Sequence, residues 1–177
     1  MGAGKTTLGA PIAQKLGWQF IDLDIYIENR RHKTVNELFA KYGEDKFRQI
    51  ERDILREVST FERVVISTGG GTPCFYDNLD LMKKSGLTLF LEVSKSVLFE
   101  RLKLGRRKRP KLQGKNDDEL LAFISEGLDE RLPIYQQADY HIGVDDLDSL
   151  SAIDQCASAV VKLIGKQVGT VSGQEEK

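Results

Sequence analysis

Near its start the chain reads GAGKTT (Gly2–Thr7). Glycines followed by a lysine and a hydroxyl residue are what a phosphate-binding loop needs. Gly2 and Gly4 let backbone N–H groups turn toward a ligand, Lys5 can reach the β- and γ-phosphates, and the Thr6 hydroxyl can ligate Mg²⁺. A helix following directly would add the positive end of its dipole. The full pattern G-x-x-x-x-G-K-[ST] has a leading glycine that would fall two residues before Met1, so this is the second half of the motif. A Gly-rich turn carrying a chance Gly-Lys-Thr is the plain alternative.

Three further clusters could do chemistry beside such a loop. FIDLDIYIE places Asp22 and Asp24 at the end of an apolar run. Alternation puts both carboxylates on one face if the strand extends that far. One can hold water on Mg²⁺, and the other can orient or deprotonate an attacking hydroxyl. Turn and N-cap aspartates are the competing reading. VVISTGGGTP places Gly69, Gly70 and Gly71 straight after another apolar run, where backbone can approach a ligand closely. YGEDKFRQIE carries Arg48 and Glu51 three apart, hence neighbours on a helix, and DERLPIY carries Arg131. Each arginine offers a planar fork that matches a carboxylate, although a surface ion pair explains Arg48 taken alone better, and Arg131 equally suits a solvated helix end. The basic run GRRKRPKLQGK (Gly105–Lys115) suits a lid that closes over phosphates. The acidic NDDE after it and a net charge of −1 over the whole chain argue against a nucleic-acid patch.

Positioning these groups needs alternating strands and helices. Strands are expected at Gln19–Leu23, Arg63–Thr68, Thr88–Val93 and Asp139–Val144, two of them apolar enough to be covered on both faces. Helices are expected after the loop, behind a Thr34–Glu37 capping box, along Phe47, Ile50, Ile54, Leu55 and Val58, behind an Asn116–Glu119 cap toward Arg131, and from about Ser149 to Val168. This is an α/β domain with a parallel sheet. At 177 residues, 40% hydrophobic and 30% charged, the chain suits a single domain over 1–168, with a lid at 105–115 and a disordered tail over 169–177. Two cysteines, no membrane-length apolar run and no signal pattern lead to a cytoplasmic protein as the expectation, without nucleic-acid or membrane partners.

Taken in order from Met1 to about Tyr135, GAGKTT, DLD, YGExxFRxxE, STGGG, the Arg-Pro of the basic run and ERLPIY resemble the shikimate kinase family. The resemblance implies a P-loop, nucleoside-monophosphate-kinase-like three-layer sandwich with a sheet ordered 2-3-1-4-5, helices on both faces and a mobile lid. It implies transfer of the ATP γ-phosphate to the 3-hydroxyl of shikimate, with Mg²⁺, by a monomer, in aromatic amino-acid biosynthesis. By resemblance, the loop residues Gly2, Ala3, Gly4, Lys5, Thr6 and Thr7 hold ATP. Asp24 contacts the acceptor hydroxyl, Asp22 stands near Mg²⁺ through water, and Arg48 and Arg131 clamp the shikimate carboxylate. Gly70 and Gly71 line the pocket, Arg109 reaches the phosphates from the lid, and Arg101 lies against adenine. Strand 1 and the leading glycine would precede Met1, so the expectation is a natural enzyme longer by about a dozen residues and, here, a slot between Val64–Ser67 and Leu89–Val93. A related kinase such as a gluconate kinase, or a nucleotide-binding module without catalysis, is the alternative.

Overall fold

The computed structural model describes residues 2–104, 112 and 114–171, with backbone alone for 166–171. Most of the basic run, Arg109 included, and the tail from residue 172 lie outside the described residues. The elements alternate as expected: α1 (Lys5–Leu16), β1 (Gln19–Asp22), α2 (Leu23–Arg31), α3 (Val35–Val58), β2 (Val64–Ser67), a 3₁₀ turn (Thr72–Cys74), α4 (Asn78–Ser85), β3 (Leu89–Glu92), α5 (Lys95–Leu104), α6 (Asp117–Tyr135), β4 (Tyr140–Gly143) and α7 (Leu150–Val171).

Local chemistry sets the boundaries. Both capping boxes form: Thr34 opens α3 with Glu37, and Asn116 opens α6 with Glu119. The helical patterns on either side of Gly43 join into one element bent there, at φ 76° and ψ 173°, a backbone conformation that only glycine adopts freely. The apolar stripe of α3 is the centre of one core cluster. Phe47, Ile50, Ile54, Leu55 and Val58 pack there with Leu23 and Ile27 of α2. The helix α7 continues three residues past Val168 to Val171.

The strands form two parallel pairs. In β1–β2, Ile21 aligns with Ile66 and Asp22 with Ser67; in β3–β4, Leu91 aligns with Ile142. Period-two alternation divides their side chains between two helical layers. Ile21 and Ile66 face α2, α3 and α4, whereas Val65, Leu89, Leu91 and Ile142 face α1 and α7. Gly9 lets α1 settle on Phe20, since a Cβ there would lie 2.6 Å from Phe20 Cε2. Leu98, Leu102, Leu112, Leu120 and Ile124 make a third cluster between α5 and α6.

No strand joins the two pairs among the described residues. The two pairs correspond to the 2-3 and 4-5 halves of the expected order. One expectation is corrected. Val64, Val65 and Ile66, like Leu89, Phe90 and Leu91, are half-buried rather than enclosed, because among the described residues each strand pairs on one side only.

Candidate active site

The loop before α1 has the geometry of a phosphate cradle. Gly4 caps the helix in the left-handed region at φ 84°, and no side chain caps the first turn. The leading N–H groups of α1 therefore remain open to an anion. Gly2 and Gly4 are flanked by α5 and the loop after β4: a Cβ at Gly2 would lie 3.1 Å from Leu102, and one at Gly4 would lie 3.4 Å from Leu147.

Asp22 and Asp24 meet this loop, though not by the expected route. The strand stops at Asp22, whose Oδ1 accepts from the Asp24 and Ile25 N–H groups and caps α2. Asp24 is thus carried in the first turn of a helix rather than on a strand face, because the Asp22 cap ends the extended backbone. Asp22 is not used up by capping: its Oδ2 accepts from the Thr6 hydroxyl at 2.8 Å. Burial lowers the pKa of the Lys5 ammonium, with Asp24 and Asp22 opposing the shift. Burial raises the pKa of the Asp24 carboxyl, helped by the negative charges of Asp22 and Glu51 and opposed by Lys5.

On the far side of Asp24 lies a buried polar network. Arg48 and Glu51 are not a surface pair: they are 7% and 1% exposed. The helix spacing made them neighbours, but the fold turns that face of α3 onto the glycine loop. Glu51 Oε2 accepts from Arg48 Nη1 at 2.8 Å, and its Oε1 accepts from Thr72 Oγ1 at 2.7 Å. Arg48 also donates from Nε and Nη2 to Glu44 at 3.2 and 3.0 Å. These three bonds leave two of the five guanidinium N–H groups for a ligand. The guanidinium lies over the Phe75 ring, with Cζ 4.1 Å from its centroid.

The glycine triplet is the floor between the acid and the arginine. A Cβ on Gly69 would lie 3.2 Å from Asp24 Oδ1 and 3.3 Å from Glu51 Oε1. One on Gly71 would lie 2.6 Å from Arg48 Nη2. Gly70 is held from α6, where the Tyr135 hydroxyl donates to its carbonyl. Burial pushes the Cys74 thiol up, opposed by the charges of Arg131 and Arg48 and helped by those of Glu130 and Glu51.

The sequence profile of shikimate kinases matches residues 1–164. The chain is 53% identical to a shikimate kinase of Bacteroides thetaiotaomicron, over 93% of this chain and 94% of that one. It is 51% identical to one of Bacteroides fragilis, over 96% and 95%.

The chain belongs to the shikimate kinase family.

The solved shikimate kinase of B. thetaiotaomicron superposes with a TM-score of 0.90 at 53% identity, covering 93% of this chain and 94% of that chain. That of Acinetobacter baumannii, solved in complex with shikimate, gives 0.79 at 30% identity, covering 99% of this chain and 91% of that chain. The fold is therefore the P-loop kinase fold of that family.

Within this shikimate kinase fold, Thr6 meets Asp22, Gly69 lies against Asp24 and Glu51, Gly71 lies against Arg48, and Gly70 is bonded from α6, the helix that carries Arg131. Arg101 serves a different contact: its Nη2 donates to the Val144 and Asp145 carbonyls, both at 2.9 Å, and its Nη1 is buried without a partner. It thereby ties α5 to the loop that flanks Gly4. Arg109 lies outside the described residues. Sequence reasoning passed over Thr72, Glu44, Phe75 and Tyr135. Tyr135 ends the quoted ERLPIY, four residues after Arg131 and so on the same helix face, which was the available signal. Thr72 and Phe75 follow the glycine triplet directly, but only the fold shows that they meet Arg48 and Glu51.

Proposed function

We propose that the chain transfers the γ-phosphate of ATP to the 3-hydroxyl of shikimate, giving shikimate 3-phosphate and ADP in aromatic amino-acid biosynthesis. The observation that carries this reading is the placement of Asp24. It stands between Lys5 at the phosphate loop and the buried Arg48–Glu51 pair across Gly69. An acceptor whose carboxylate is gripped by Arg48 and Arg131 would present its hydroxyl to Asp24, in line with a phosphate held at Lys5. Phosphoryl transfer asks for this positioning and for positive charge more than for covalent chemistry.

The N–H groups of Gly2–Thr7 hold the phosphates, and Lys5 neutralises charge on the transferring group. Asp24 orients the hydroxyl and takes its proton; its raised pKa suits it to that role better than an ordinary carboxylate. Thr6 Oγ1 and Asp22 Oδ2, 2.8 Å apart, are a hard-oxygen pair suited to Mg²⁺ held largely by phosphates and water. Held there by Thr6 and, through water, by Asp22, Mg²⁺ would supply charge neutralisation for the transferring phosphate. The reading assigns to Arg109 the lid contact with the phosphates and to Arg101 the wall beside adenine. It takes the enzyme as a cytoplasmic monomer with a single kinase domain over 1–168, a lid at 105–115 and a disordered tail. No described helix is long and apolar enough to cross a membrane.

The test is ADP release with ATP and Mg²⁺, comparing shikimate with gluconate. Shikimate-dependent release supports the reading. Release with gluconate alone, or at one rate without any acceptor, refutes it.

A further inference from the structure

Tyr135 joins the two substrate-facing parts that come from distant stretches of chain. Its hydroxyl donates to the Gly70 carbonyl, 65 positions earlier. Arg131 lies one turn before it on α6, at the i,i+4 spacing that sets two side chains on one helix face, and its positive charge opposes the burial that raises the pKa of the hydroxyl. The ring is braced from behind, with its centroid 5.1 Å from that of Phe90 on β3, and Phe90 in turn meets His141 edge-on at 5.7 Å. Pro133 sits between the two residues and has no N–H to give to the helix. The last turn of α6 therefore relies more on its side-chain contacts for its position.

We propose that Tyr135 is a positioning residue for the acceptor. Its hydroxyl donates to the Gly70 carbonyl and so fixes the orientation of the peptide at Gly70 on the helix face that also carries Arg131. A glycine between two glycines has little intrinsic reason to hold one peptide orientation. With its carbonyl held by Tyr135, the neighbouring N–H groups of the triplet stay available to the acceptor. The proposal rests on the reading that Arg131 grips the shikimate carboxylate.

The experiment is a thermodynamic cycle of Tyr135→Phe and Arg131→Ala, read by calorimetric titration with shikimate and, separately, with ATP. Phenylalanine keeps the ring packing on Phe90 and removes only the hydroxyl. Shikimate affinity is expected to fall roughly three- to tenfold in Tyr135→Phe, the range for one neutral hydrogen bond. ATP affinity and kcat should stay near wild type. In the Arg131→Ala background, Tyr135→Phe should add much less than it does alone. Full additivity, or an equal loss for ATP, overturns the proposal, because either would mean general loosening of α6. Wild-type shikimate binding by Tyr135→Phe, with weakened binding by Arg131→Ala, overturns it while leaving the clamp intact. If Arg131→Ala binds shikimate normally, the clamp reading itself fails, and the proposal with it.

Discussion

Replacing Gly71 by alanine should damage acceptor binding selectively. The backbone at Gly71 has φ −84° and ψ −23°, which alanine adopts without strain. The whole cost therefore falls on space. The new methyl would lie 2.6 Å from Arg48 Nη2, 2.9 Å from Nη1 and 3.0 Å from Cζ, so the guanidinium must move. Arg48 has little freedom to do so, stacked on Phe75 and bonded to Glu51 at 2.8 Å. A displaced guanidinium loses one charged hydrogen bond to the acceptor, worth about 1.5–3 kcal/mol, or roughly 10- to 150-fold in affinity. Initial rates should show KM for shikimate raised by that factor, with KM for ATP unchanged. Gly127→Ala is the control, since a Cβ in that helix meets nothing within 4 Å. It should leave kinetics alone and hold or raise the Tm. Unchanged KM for shikimate in Gly71→Ala would refute the placement of Arg48 against the acceptor.

Asp24→Asn should lower kcat at least ~10²-fold while ATP binding persists, because the proton acceptor is lost and the fold is kept; kinetics and nucleotide titration check both halves. Asp139 is partly buried, which pushes its carboxyl up, but the Thr88 N–H and hydroxyl and the Lys83 ammonium outweigh this and hold it below its ordinary value of 3.8. Such a depressed group contributes stability above that ordinary value and loses it as pH falls through the folded value. Asp139→Ala should therefore lower the Tm at pH 7, with the deficit shrinking below about pH 4 in melts across pH.

Much of the fold was legible in local chemistry. The Thr34–Glu37 and Asn116–Glu119 boxes and the stripe of α3 are patterns within one helix, and they lie where the spacing put them. The four strands fall within one residue of expectation at each end. What spacing cannot show is which helical face the fold buries. Arg48 and Glu51 look like an exposed pair on α3 until the glycine triplet and Phe75 are laid over them. Asp22 and Asp24 were found as a pair, but the choice between strand and helix at Asp24 depends on whether Asp22 caps, a competition of a few hydrogen bonds. Arg101 and Tyr135 bond to carbonyls 43, 44 and 65 positions away, and no periodicity reports such partners.

The most direct measurement is the identity of the product. Phosphorus and proton NMR of the chain with ATP, Mg²⁺ and shikimate should show γ-phosphate lost only when shikimate is present. A new phosphomonoester should appear, coupled to the proton on C3 of the ring and abolished by Asp24→Asn. A phosphoester on another hydroxyl, or ATP consumed equally with and without shikimate, would contradict the account.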